Sequence, residues 1–125
     1  MEDSKKQIRE FLKEFKYLTS IKKTYIVKRY DNQKSFIELG ITEENCRDEL
    51  MTLSLTDYSS GPEPDKDRPG NIWVFGKHID SREVYIKLKI FQVGIEKRAK
   101  CIAFHPASTP LSYPYRTTSK EEEKS

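Results

Sequence analysis

Tyr85, Lys87 and Lys89 alternate along one stretch of this chain, and His105 closes another short apolar stretch further on. Side chains of these types can cut RNA. The 2′-hydroxyl attacks the adjacent phosphate once a base takes its proton. An acid then protonates the departing 5′ oxygen, and cations stabilise the charge on the five-coordinate phosphate. His105 is the natural acid, because an unperturbed imidazole titrates near pH ~6.5. Lys77 and Lys87 are candidate clamps for the phosphate. Tyr85 can orient a phosphate, stack a base or join the proton transfers. Lys89, Arg68 and Arg116 are further cations expected to hold RNA.

Other chemistries lack their marks. The chain has no Gly-rich phosphate loop, no HExxH, no CxxC and no nucleophile elbow. His78 and His105 fall on neighbouring stretches but match no metal-site spacing, and no pair of acids gathers convincingly at a strand end. Neither a metal nor a cofactor is expected. The same residues also have a plainer reading. A Lys-Tyr-Lys alternation is what the solvated face of a half-buried sheet looks like. His105, next to Pro106, can be a strand-end residue satisfied by backbone. Trp73, Phe75 and Phe104 read as core rather than stacking platforms, and Cys46 and Cys101 as inert buried thiols. Arg68 and Lys66 stand among acids and can pair with them locally.

The elements that position these residues follow from periodicity. Ile8, Phe11, Leu12 and Phe15 lie on one helical stripe, so Ser4 to Tyr17 is expected to be an amphipathic helix. Tyr25 to Tyr30 is β-branched and aromatic and reads as a strand. Asp31 is placed to cap a helix ending at Leu39, with Gly40 following it. Thr42 is placed to cap a third helix, with Glu43 and Glu44 at the positive end of its dipole and Cys46, Leu50 and Leu53 as its apolar stripe. Ser59 to Gly70 holds three prolines and two glycines among charges and is expected to be an exposed loop. Three strands should follow: Ile72 to Ile79, Glu83 to Phe91 after an Asp80-Ser81 turn, and Lys100 to His105 after a turn over Gln92 to Ala99. In the second strand Val84, Ile86, Leu88 and Ile90 point one way, Tyr85, Lys87 and Lys89 the other. In the third, Ile102 and Phe104 are expected inward, and Cys101, Ala103 and His105 outward.

The fold class is therefore α+β: a small central antiparallel sheet of three to four strands, with helices packed on one face. At 125 residues, residues 1–116 suit one domain, with 117–125 a disordered charged tail. Apolar residues are 35% and charged residues 34%, enough for one modest core inside a charged surface. The net charge is only +3, but basic residues dominate Lys22 to Arg29, Lys77 to Lys89 and Lys97 to Lys100. A basic stripe can thus coexist with a near-neutral total. The start of the chain carries no apolar signal core, and two cysteines make no disulfide framework, so a reducing cytosol is expected.

The order "IELGIT", "LSLTDY", "IWVFGK", "REVYIKLKI" and "CIAFH", spread over Tyr25 to Pro106, resembles toxins of the MqsR type, in the RelE/ParE superfamily. That resemblance implies an α+β fold around an antiparallel sheet. It implies an mRNA endoribonuclease working through basic residues and tyrosine, held in check by a cognate antitoxin, often a helix-turn-helix protein. The family's sheet tyrosine falls on Tyr85. The basic residue ending the last strand falls on His105, where MqsR-type members carry lysine. The family's lysine after the aromatic stretch has no counterpart at Ser59-Ser60, and Val74 stands where a glutamine is usual. Two alternatives remain beside the enzyme. One is an RNA- or ribosome-binding module, or a toxin acting by contact, without chemistry. The other is a structural protein whose lysines only solvate its sheet.

Overall fold

A computed structural model describes residues 2–116; Met1 and the expected tail at 117–125 lie outside the described residues. In chain order the elements are α1 (Glu2–Ser20), β1 (Thr24–Ile26), α2 (Tyr30–Leu39), α3 (Glu43–Met51), a short 3₁₀ turn (Leu55–Asp57), β2 (Tyr58–Pro64), β3 (Asn71–Ile79), β4 (Arg82–Val93) and β5 (Glu96–Pro106). The strands form one sheet in the order β1-β5-β4-β3-β2. β1 runs parallel to β5 and the other pairings are antiparallel. The class is α+β as expected, but the sheet is mixed and has five strands. Among the described residues no helix is long and apolar enough to cross a membrane.

The helices behave much as their periodicity demands. Ile8, Phe11, Leu12, Phe15 and Leu18 of α1 are buried against the sheet, and Phe11 stacks on Trp73 with ring centres 4.7 Å apart. Trp73, Phe75 and Phe104 are core, as read. α3 is capped by Thr42, whose side chain accepts from the Asn45 N–H while the Asn45 side chain accepts from the Thr42 N–H. α2 departs from expectation at its start. Arg29, not Asp31, occupies the N-cap, without a side-chain bond, and Asp31 sits in the first turn. The reason is the next residue. Asn32 is buried and donates to the carbonyls of Val27 and Ile102 while accepting from the Phe104 N–H. That amide pins the helix to β5 and sets where it begins. Leu39 is followed by Gly40 in the left-handed conformation, φ 68°.

The expected Ser59–Gly70 loop is the main correction. Its first half is strand β2, at the edge of the sheet. An edge strand leaves one side of its backbone unpaired, so prolines are tolerated there. Two register shifts, between Tyr58 and Ser60 and between Ser60 and Glu63, absorb the residues that cannot pair. Gly61 has φ +108°, and a Cβ there would stand 2.7 Å from the Ile72 carbonyl oxygen, so no other residue fits this approach. The true loop is Asp65 to Gly70.

The other strands run longer than their apolar cores. β4 reaches Val93 and β5 starts at Glu96, so the expected Gln92–Ala99 turn shrinks to Gly94-Ile95. Asp80 and Ser81 do form the β3–β4 turn, both with positive φ (50° and 68°), as a tight hairpin requires. The expected β1 strand stops at Ile26 rather than Tyr30. A bulge on β5 corrects its facing. Lys87 pairs with Ala103 and Leu88 with Cys101, leaving Ile102 as the extra residue. The phase therefore flips, and Ala99, Cys101 and Phe104 are the buried core positions. Cys101 was expected outward and is inward, whereas His105 faces away from the helices as read.

Candidate functional site

β4 alternates between the two faces of the sheet. On the face away from the helices it presents Glu83, Tyr85, Lys87, Lys89 and Phe91. Tyr85 lies between Gly76 of β3 and His105 of β5, and Lys87 between Val74 and Ala103. The Tyr85 and His105 rings stack with centres 5.4 Å apart and planes 29° from parallel. The Lys87 ammonium stands 6.0 Å from the centre of the Tyr85 ring. All three side chains are half-buried.

The chemistry open to this trio is set by its partners. His105 Nδ1 is 3.0 Å from the Pro106 carbonyl oxygen. A carbonyl only accepts, so Nδ1 carries the hydrogen and Nε2 is left to exchange a proton. Burial, followed by the negative charge of Glu63, holds the Tyr85 phenol above its ordinary value. Tyr85 is therefore a hydrogen-bond donor at neutral pH, not a base.

At one end the face is closed by the chain after β5. The Leu111 N–H and the Tyr113 hydroxyl donate to the two oxygens of Glu83, at 3.0 and 2.6 Å. The Tyr113 hydroxyl holds the Glu83 carboxyl below its ordinary range, and burial with the Glu83 charge pushes the Tyr113 phenol well up. Gly76 makes this fit possible, because a Cβ there would run into the Tyr113 hydroxyl and Leu111. The segment continues with Tyr115 against Tyr58. The Arg116 guanidinium lies 3.8 Å from the centre of the Tyr113 ring and is paired with Asp57 at 3.1 Å.

At the other end Lys89 is only 1% exposed and its ammonium is 2.6 Å from Asp65. That hydrogen bond, helped by the Asp67 N–H, lowers the Asp65 carboxyl to about 2. Beyond Lys89 opens a groove of about 710 Å³, lined among others by Tyr25, Arg68, Phe91, Lys97 and Lys100.

Of the residues expected to act, Tyr85, Lys87 and His105 come together. Lys89 shares their face, yet it is buried and neutralised. Arg68 belongs to the groove. Arg116 is committed to Asp57 and Tyr113. Lys77 is on the opposite face: it keeps phase with Trp73 and Phe75, donates to the Thr52 hydroxyl at 2.6 Å and lies 3.8 Å from Glu49. It ties β3 to the end of α3 and does not reach the Tyr85–His105 pair. Residues not anticipated are Glu83, Glu63, Tyr25, Phe91 and Lys100. The signal for Lys100 was its alternation with Arg98, hidden because the charged run Glu96-Lys97-Arg98 reads as turn. Cys46 and Cys101 are free, buried thiols, and the Cys46 contact together with burial pushes the Cys101 thiol up. Among the described residues no three His, Cys, Asp or Glu side chains gather as a metal-binding group would. Comparison with protein-family models, with curated proteins and with solved structures finds no match.

Proposed function

We propose that this chain is an RNA-cleaving toxin whose reaction centre is Tyr85, Lys87 and His105, with RNA laid along the open sheet face. The observation that carries the reading is the stacked Tyr85–His105 pair beside an ammonium, on a face that the described residues leave half exposed between two closed ends. The sequence resemblance to MqsR-type toxins points the same way. His105 acts as the imidazolium: Nδ1–H stays on the Pro106 carbonyl, and Nε2–H gives its proton to the departing 5′ oxygen. Lys87 and the protonated phenol of Tyr85 stabilise the five-coordinate phosphate. Solvent water takes the proton of the 2′-hydroxyl. The 2′-oxygen–phosphorus bond forms as the phosphorus–5′-oxygen bond breaks, leaving a 2′,3′-cyclic phosphate and a free 5′-hydroxyl. The partner on this reading is an antitoxin that covers the face, with a helix-turn-helix protein encoded alongside the expected form. The site of action is the cytoplasm.

The test is inducible expression in a bacterial host, with growth and mRNA integrity followed together. Wild type should arrest growth and fragment mRNA, and Tyr85→Phe with His105→Ala should abolish both. Arrest without fragmentation would replace the enzyme by a non-cleaving RNA-binding toxin. Intact toxicity and cleavage in the double variant would sink the assignment of the site. With purified protein, fragments should carry cyclic phosphate ends, and Lys87→Ala should slow their release.

A further inference from the structure

We infer that the groove beyond Lys89 is a subsite for one unpaired nucleotide of a single strand, its base against Tyr25 and Phe91 and its phosphate on Lys100 and Arg68. The inference deepens the RNA reading above and rests on it, adding a second point of attachment that the reaction itself does not use.

The groove has the size and the walls for such a unit. Its volume, about 710 Å³, is in the range of sites that take small organic ligands. Tyr25 and Phe91 stand at 90° with ring centres 6.3 Å apart, so they make a corner. Tyr25 is 46% exposed. A flat base can lie on one ring of such a corner with its edge toward the other. Aromatic faces accept any base, so the corner suits unpaired nucleic acid without demanding a sequence.

The cations divide into used and unused. Lys89 is paired with Asp65 and Lys97 with Glu14, at 2.6 and 2.9 Å. Among the described residues neither Arg68 nor Lys100 has a carboxylate within ion-pair distance. The Lys100 ammonium lies 5.2 Å from the centre of the Phe91 ring. Partial burial, then the charges of Lys89 and Arg68, make its charged form harder to keep, against the opposing charge of Asp65. Two cations without a carboxylate partner among the described residues, beside an aromatic wall, suit an anion, and a phosphate attached to a stacked base supplies one.

The position of the groove links it to the reaction centre. Tyr85 and Phe91 lie on one face of one strand, six residues apart, which is roughly 20 Å. A strand crossing both would be cleaved a few nucleotides away from the base held in the corner. Duplex RNA offers no unpaired base there and cannot use the subsite.

The experiment measures binding of a short, labelled, single-stranded 2′-O-methyl RNA, which lacks the attacking hydroxyl and is not cut. Tyr25→Ala should weaken binding roughly 5- to 100-fold. Lys100→Gln should weaken it and lower the slope of log affinity against log salt by about 0.7. Binding of a duplex of equal length should be unchanged in both variants. Circular dichroism checks that the variants fold. If the wild type binds no single strand even at low salt, the RNA reading falls and the subsite falls with it. If the wild type binds, Lys87→Ala weakens it, and both groove variants bind like wild type, the subsite alone is overturned. An acidic glutamate peptide that binds as tightly as the RNA, with the same loss in both variants, would overturn the nucleotide assignment in favour of a protein ligand.

Discussion

On the helix-covered face of the sheet, Phe75, Ile86, Leu88 and Phe104 are fully buried. On the other face of the same strands, Tyr85, Lys87 and His105 stay half exposed, and Lys89 is buried only because Asp65 reaches it. The first face is closed by area. Burial of apolar surface is non-directional, so many side chains of similar volume would serve there. On the second face, carboxylates that meet donors hold both closures. Glu83 holds the C-terminal segment at one end through two hydrogen bonds, and Asp65 seals Lys89 at the other. The middle, where Tyr85, Lys87 and His105 stand, has no such clasp. Among the described residues, a half-exposed polar stretch thus lies between two polar closures.

The largest effects should fall on the helix side. Phe75→Ala or Phe104→Ala should lose roughly 3–5 kcal/mol of stability, whereas Lys87→Ala should stay within about 0.5 kcal/mol. Urea denaturation measures both, and equal losses would erase the distinction between the faces. Next comes a buried polar anchor, Asn32. Asn32→Ala removes three buried hydrogen bonds to backbone and should cost roughly 2–4 kcal/mol, with faster amide exchange along β5. A loss under that range would mean α2 is held by packing alone.

Smaller effects should come from the two clasps. Tyr113→Phe deletes the shorter bond to Glu83 and should cost about 1 kcal/mol. The Leu111 N–H should then exchange faster, and unchanged exchange would mean that the segment is held elsewhere, by Tyr115 and Arg116. The Asp65 clasp is read best through pH. Its carboxyl sits at about 2, below the ordinary 3.8, so folding favours the charged form. Its contribution is full above about pH 4 and is lost as pH falls toward 2. Thermal melts of wild type and Asp65→Asn should therefore differ most near neutral pH and converge as acid protonates Asp65. A constant gap down to pH 2 would mean that the ion pair is not what closes that end.

Much of the fold was legible before any coordinates. The helical stripe of Ile8, Phe11, Leu12 and Phe15, the Thr42 cap, the Asp80-Ser81 hairpin and the alternation of Val84 to Lys89 all follow from local rules of spacing and capping. So did the outward facing of Tyr85, Lys87 and His105. What misled was local chemistry overruled at a distance. Pro62 and Pro64 read as loop because proline breaks interior ladders, yet an edge position with register shifts accommodates them. Lys77 read as a companion of Lys87, but strand phase sends it to the helix side. Cys101 read as outward until one extra residue, Ile102, reversed its phase.

By itself, then, the sequence determined the three helices, the cores of strands β3 to β5 and which side of β4 is polar, because 3.6- and two-residue periodicities are written in neighbouring residues. Only the tertiary structure decided which polar side chains are free. Lys89, Lys77 and Arg116 are each spoken for by an acid or hydroxyl far along the chain, at Asp65, Thr52 and Asp57. Tyr25, Phe91 and Lys100 meet only because β1 and β4 lie on either side of β5. Charge pairing and convergence depend on distances through space, and those are fixed only when the strands assemble.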